Sequence, residues 1–271
     1  MKKLFLIAFL FPLFQSEIKT ELVYTGRTVK IHEFAGTKDL ESVVKIDAED
    51  IFVVADDDSD GIFFIDIKNK KVLQAFHAND FISRFSKIKS KHTKEFEGLC
   101  YDYNTQNIYL ANSPLNSKES PAIFLLKRNF YGYKIEDYRI PLITGENQLT
   151  AIAYSPFGIL IANGSEVKKY DFDSNVVDNE IILSLNEVIY EMYYFENAFW
   201  VLTNKNMLYK YGWNQFNKPI QSYDLSLIDK EPNWRRIKDA RSIIVQEDLI
   251  IIGDGRDRNE RLIYLQEKEM D

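Results

Sequence analysis

Residues 94–113 read KEFEGLCYDYNTQNIYLANS. The stretch opens on an acidic turn, Glu95-Phe96-Glu97-Gly98, and passes into alternating Leu99, Tyr101 and Tyr103. A polar turn, Asn104-Thr105-Gln106-Asn107, leads into the apolar run Ile108-Tyr109-Leu110-Ala111, which stops at Asn112. Alternation on both sides of a short polar turn predicts two antiparallel strands with a tight connection.

Weaker copies of this unit recur. One runs from Asp39-Leu40-Glu41-Ser42 to Ala55-Asp56, and another from Leu149-Thr150-Ala151 to Ala162-Asn163. Two more run from Tyr190-Glu191-Met192 to Thr203-Asn204 and from Ala240-Arg241-Ser242 to Gly253-Asp254. Aligned, they give two columns. The first holds Glu41, Glu97, Thr150, Glu191 and Arg241; the second holds Asp56, Asn112, Asn163, Asn204 and Asp254. The columns stand 15 residues apart in the first two units and 13 in the other three. Third strands are predicted at 62–67, 122–127, 167–172, 207–211 and 261–266, and fourth strands at 72–76, 134–140, 181–185 and 220–225. The last unit lacks a fourth strand. A strand-like stretch at 28–34 precedes the first unit and can supply it, so that the chain's start zips to its end.

Four-stranded units of roughly 50 residues make a β-propeller when arrayed around an axis. The fold class expected is all-β, a five-bladed propeller over residues 17–271 as one domain; six blades is the alternative, if one long connection is a degenerate blade. Those connections, 78–94 and 228–239, both contain short helix-like patterns. Composition agrees: 45% hydrophobic residues suffice for a core, and 19 Phe and 16 Tyr favour strands.

In a blade the start of the innermost strand neighbours the end of the second, so both columns fall at one mouth of the central channel. Crowded carboxylates and amides there suit a hard cation with oxygen ligands, Ca2+ above all. The expected metal ligands are Glu41, Glu97, Glu191, Asp56 and Asp254. The expected ligand-binding residues are Asn112, Asn163, Asn204, Arg241 and Arg256. The competing reading has the Asx residues cap turns and the glutamates stay hydrated. Asp56-Asp57-Asp58-Ser59-Asp60-Gly61 matches the front of a calcium loop, but the twelfth position is Ile67 and the better reading is a hairpin turn. Arginines at 235, 236, 241, 256, 258 and 261 could cradle an anion beside the cation, or form a solvated edge. His32, His77 and His92 fall in no column and show no zinc spacing. No nucleophile–base motif is legible. The single cysteine, Cys100, lies in an apolar strand and reads as a buried thiol.

Lys2-Lys3 followed by an apolar run from Leu4 to Phe14 has the outline of a secretory signal over residues 1–16, too short to span a bilayer. The mature chain is then expected in the periplasm or secreted, as a monomer without a membrane span. Without Lys2 and Lys3 it holds 32 basic and 41 acidic residues, which argues against nucleic acid as a partner.

Glu97-Gly98-Leu99, then Tyr101-Asp102 and the run 108–112, resembles the signature of the SdiA-regulated family, itself similar to the esterase-like phytase propellers. Asp39-Leu40-Glu41-Ser42 is similar to the same signature, with Ser42 in place of its glycine. The resemblance implies an exported bacterial five-bladed propeller with a calcium site and no established chemistry. It reaches Glu41 and Glu97; Thr150 and Arg241 depart from the acidic pattern. The calcium-activated nucleotidases are a weaker resemblance, on blade count and central acids. Two functions are weighed. One is an exported binding or scaffold propeller around Ca2+ that takes a small anionic ligand or a protein partner. The alternative is a metal-dependent phosphohydrolase or esterase, nucleotidase- or phytase-like, in which the cation orients an anionic substrate.

Overall fold

A computed structural model describes residues 20–46, 50–114, 120–143, 148–228, 237–255 and 260–269. The export signal read from residues 1–16 lies outside the described residues. The first described strand, β1 (Thr20–Lys30), is followed by a helical turn, α1 (His32–Ala35). The strand expected at 28–34 therefore starts earlier and ends sooner: Gly26, at φ +85°, bends β1 where its register shifts, and Gly36, at φ +73°, closes the turn after it.

Every described strand belongs to one of five antiparallel four-stranded sheets. The first blade is β2 (Leu40–Lys45), β3 (Ile51–Asp56), β4 (Gly61–Asp66) and β5 (Lys71–His77). α2 (Ala78–Arg84) then leads to the second blade: β6 (Phe96–Asp102), β7 (Asn107–Asn112), β8 (Ala122–Asn129) and β9 (Gly132–Arg139). The third is β10 (Ala151–Ser155), β11 (Gly158–Asn163), β12 (Glu166–Asp171) and β13 (Val176–Ser184). The fourth is β14 (Ile189–Phe195), β15 (Ala198–Thr203), β16 (Met207–Gly212) and β17 (Gln221–Asp224). The fifth is β18 (Ala240–Gln246), β19 (Leu249–Asp254) and β20 (Arg261–Glu269), with β1 as its outer strand. The innermost strands β2, β6, β10, β14 and β18 neighbour one another in that order, and β18 returns to β2. The fold is a five-bladed β-propeller closed by its first strand. Among the described residues no helix is long and apolar enough to cross a membrane.

The core sits between blades. Side chains alternate along a strand, so the inner strands bury both faces, one against each neighbouring blade. Val53 joins the cluster between blades one and two, and Val54 the cluster between five and one. Trp200 fills the space between blades four and five and Trp213 borders that between three and four. The outer strands face water on one side, and β5 and β13 show it in their exposed residues. α2 packs Phe81, fully buried, edge-on against Phe124 in the first inter-blade core.

A candidate cation site at the channel mouth

Four innermost strands carry a β-bulge at the same height. The ladder skips one residue between Leu40 and Ser42, Phe96 and Gly98, Ile189 and Glu191, and Ala240 and Ser242. The extra residue is left unpaired and re-aimed. It is Glu41, Glu97, Tyr190 and Arg241. In the third blade Thr150 takes the place, its N–H bonded to the Ala162 carbonyl at 3.0 Å.

This register corrects the fourth unit by one residue. Glu191 does not stand with Glu41 and Glu97. It lies one layer deeper, level with Ser42, Gly98, Ala151 and Ser242, which pair with Ala55, Ala111, Ala162 and Gly253. Four small residues leave room for one long side chain, and Glu191 fills it at 1% exposure. Ser42 Oγ donates to Glu191 Oε2, and the Met192 N–H donates to Oε1 at 3.0 Å. Ser42 Oγ also accepts from the Leu99 N–H at 2.9 Å, and Ser242 Oγ accepts from the Val43 N–H at 2.8 Å, so this layer stitches blade five to one and one to two. At Gly98 a Cβ would lie 3.0–3.1 Å from Ile152, so the seam between blades two and three needs glycine.

Burial pushes the Glu191 carboxyl well above its usual range, more than the bonds from Ser42 and Met192 hold it down. A carboxyl raised in the folded chain favours folding fully below about pH 4, where the unfolded acid is also protonated, and that contribution is lost as pH rises. Glu191→Gln keeps the shape without the titration: its amide oxygen can still accept from the Met192 N–H, and its amide N–H can donate to Ser42 Oγ, reversing that bond. It is expected to leave Tm unchanged near pH 4 and to raise it by roughly 5 °C at pH 8. Thermal unfolding across that range checks this; a lower Tm at pH 8 would show that the ionised group is needed.

The second column ties strands together. Asp56 Oδ2 accepts from the N–H groups of Lys38 and Asp39 at 2.6 and 2.9 Å, and Oδ1 from Ser59 N at 2.9 Å. Asp254 repeats this: Oδ1 accepts from Asp239 N at 3.0 Å, and Oδ2 takes Arg261 Nε and Nη2 at 2.9 and 2.6 Å. Asn112 accepts from Ala122 N at 3.1 Å and donates to the Lys94 carbonyl. In the fourth blade the place belongs to Thr203, whose hydroxyl donates to Glu187 at 2.6 Å, and Asn204 stands exposed beside it. Asn163 Oδ1 is buried without a partner in the third. Arg256 lies outside the described residues. Asp56, Asp254 and Asn112 thus spend their side chains on backbone and on Arg261 and anchor the approaches to the inner strands of blades one, five and two; Asp56 also caps the turn that follows it, through Ser59.

The residues brought together at the mouth flank the columns. Asp39, Glu41 and Asp57 each place a carboxylate oxygen within 4.8 Å of the others. In four blades the residue after the second strand bonds back to the approach of the first; Asp57 N donates to Asp39 O at 3.0 Å, Ser113 N to Glu95 O at 2.8 Å, Asn204 N to Val188 O at 2.9 Å, and Gly255 N to Asp239 O at 3.0 Å. Asp39, Glu95 and Asp239 are therefore equivalent, on blades one, two and five. These blades are contiguous, so Asp39, Glu41, Asp57, Glu95, Glu97 and Asp239 form an acidic half of the mouth. Gln148, Thr150, Val188 and Tyr190 form a neutral half opposite.

Arg241 sits where the halves meet. Its Nη1 donates to Glu41 Oε2 at 2.9 Å, its Nε to Asp239 Oδ1 at 3.1 Å, and its guanidinium lies 4.5 Å from the Tyr190 ring centre. One arginine does not neutralise the cluster. Burial raises Asp39 to about 6, against the pull of Arg241. Burial raises Glu97 to about 7 and Glu41 to about 9, also against Arg241. Glu95, raised to about 7 by burial and the Asp57 charge, shares a hydrogen bond with Asp57, itself raised by burial. Cys100, beyond Glu191, is buried and its thiol is pushed far up by burial, so it is inert.

Over residues 13–138 the chain matches the family model described as SdiA-regulated. The chain resembles the SdiA-regulated family. Both signature segments, at 39–42 and 97–102, fall within the matched span, and so do Asp39, Glu41, Asp57, Glu95 and Glu97. The crystal structure of Myxococcus xanthus glutaminyl cyclase superposes with a TM-score of 0.61 over 93% of this chain and 97% of that one. At 10% identity that likeness shows the fold alone. No curated protein matches the chain.

Proposed function

We propose that this propeller is an exported binding protein whose acidic half-mouth holds a divalent cation, Ca2+ by its ligand chemistry. The observation that carries the reading is the convergence of Asp39, Glu41 and Asp57 oxygens within 4.8 Å, with Glu97 beside them. Carboxylates this close repel unless protonated or bridged. Hard oxygen donors from three backbone segments suit a cation of 6–8 flexible ligands better than one demanding strict octahedral geometry. Residues 1–16 would direct export and be removed, leaving residues 17–271 to act in the periplasm or outside the cell, as a monomer. A bound cation would offer open coordination positions to a small anionic ligand or an acidic side chain of a protein partner. A hydrolase would use the same cation to orient a phosphate or ester, but Arg241 is held by Glu41 and Asp239 and is not free to take the substrate anion.

Thermal unfolding tests this. Millimolar calcium is expected to raise Tm by several degrees over chelator at pH 7.5, and magnesium to do less. Glu41→Gln combined with Asp57→Asn should abolish the shift and keep the propeller folded. An equal Tm with calcium and with chelator sinks the reading. Turnover of aryl phosphates or nucleoside diphosphates that Glu97→Gln removes would replace it with the hydrolase.

A further inference from the structure

One corner of the outer rim differs from the rest of the surface. β8 and β9 are joined through Phe130-Tyr131, and each of these side chains is 94% exposed. Their rings meet edge to face, 5.2 Å apart. A two-residue hairpin connection is normally Asn, Asp or Gly, because those residues suit the turn. Two aromatic rings there add nothing to the core.

The surroundings are cationic. Lys127, Arg128 and Lys134 are exposed on the stems of the same hairpin. Lys68, Lys70 and Lys71 are exposed on the neighbouring hairpin between β4 and β5, followed by Val72 and Leu73 at 37% and 47% exposure. The acids nearby face cations of the same hairpins: Glu136 pairs with Lys134 at 2.7 Å, and Asp66 lies against the charge of Lys71. The whole chain is net −7, so the positive charge is local.

The two hairpins are locked together. Gln74 Nε2 donates to the Tyr133 carbonyl at 2.7 Å, and Gln74 Oε1 accepts from the Tyr133 N–H at 3.0 Å. Gly132 makes this approach feasible: its φ is +137°, and a Cβ would lie 2.7 Å from Gln74 Oε1. The aromatic tip is held in place relative to the lysines of the next blade.

We infer that this corner docks on an anionic phospholipid surface. Phe130 and Tyr131 sit at the boundary between headgroups and acyl chains, and Lys68, Lys70, Lys127 and Arg128 meet the lipid phosphates. Aromatic side chains favour that boundary, and clustered cations are drawn to the negative surface potential. Shape separates this from a single-stranded nucleic acid, which follows a groove with bases stacked along it. Here the rings stand on a convex tip.

Flotation of the full chain with phosphatidylcholine vesicles, with and without phosphatidylglycerol, tests the inference. Binding is expected to require phosphatidylglycerol, and to fall at least about tenfold in Phe130→Ala/Tyr131→Ala, in Lys127→Glu/Arg128→Glu and in high salt. Neither pair contributes to the core, so thermal unfolding of the variants should match the parent. The apolar run at 4–14 can bind vesicles by itself, so a second reading is taken at the tip. In Tyr131→Trp the new indole emission should shift to the blue on vesicle addition and be quenched by brominated lipid. Vesicle binding that leaves this emission unmoved overturns the inference. So does absence of phosphatidylglycerol dependence, or binding of the corner to single-stranded DNA or a soluble protein in place of vesicles.

Discussion

Calcium affinity is expected to rise about 100-fold between pH 6 and pH 8. A carboxylate must be deprotonated to ligate, so binding competes with protons wherever ligand pKa values lie near the working pH. Asp39 at about 6 and Glu97 at about 7 titrate inside this window, and Glu41 at about 9 above it. A ligand near 7 gains close to tenfold in its ionised fraction over these two pH steps, and Glu41 gains at least as much. Calorimetric titration in two buffers of different ionisation heat would count the protons released per calcium, with one or more expected at pH 7. The calcium-free chain should show the reverse trend in stability. These carboxyls are raised above their unfolded values, so their contribution is complete below about pH 4 and is lost as pH rises from there through about 6 to 9. Calcium should cancel that loss, and the calcium-induced rise in Tm should grow with pH. A pH-independent affinity would mean that the cation, if bound, sits elsewhere.

The blades were legible because each one writes two apolar strands around a short polar turn, and this pattern depends only on neighbours in sequence. Glu41 and Glu97 could be placed at the mouth for the same reason. Glu191 could not. A β-bulge adds one residue to a strand without changing its alternation on either side, and in Val188-Ile189-Tyr190-Glu191 the bulged position is filled by tyrosine. Aligning glutamate with glutamate displaces the fourth unit by one, and a slip of one moves a side chain to a different layer. The Asx column was visible too, but its role depends on which N–H groups approach it. The loops leading into β2 and β18 bring theirs to Asp56 and Asp254. The acids that share the mouth, Asp39, Asp57 and Glu95, carry a positional signal: they stand two before the first column or one after the second. β1 is only half legible in the sequence because Gly26 interrupts its alternation, and its pairing with β20 joins the first described strand to the last.

That pairing sets the other large effect: a chain beginning at residue 32 is expected to lose the cooperative fold. β1 is the outer strand of the fifth blade, running antiparallel to β20 from Thr20 opposite Glu269 to Lys30 opposite Arg261. Leu22 packs in the core between blades four and five, and Ile31, fully buried, in the core between five and one. Thr20 Oγ1 lies 2.6 Å from Tyr223 Oη, which fastens the strand to blade four as well. Ile31 N donates to the Glu260 carbonyl at 3.1 Å. Burial of Leu22 and Ile31 alone is worth about 3–6 kcal/mol. The whole ladder is lost besides, against a total stability of about 5–15 kcal/mol for a domain. Without β1, the long strand β20 becomes an open edge, with Leu262, Tyr264 and Leu265 stripped of cover, and exposed edges of this kind pair between molecules. The truncated chain is expected to aggregate, while Leu22→Asp in the full chain should lower Tm by roughly 10 °C. Closure makes a demand that general destabilisation does not: a peptide of residues 20–31 added in trans should bind the truncated chain and restore the soluble monomer. A truncated chain that stays monomeric with an unchanged Tm would show that the ring holds without its first strand.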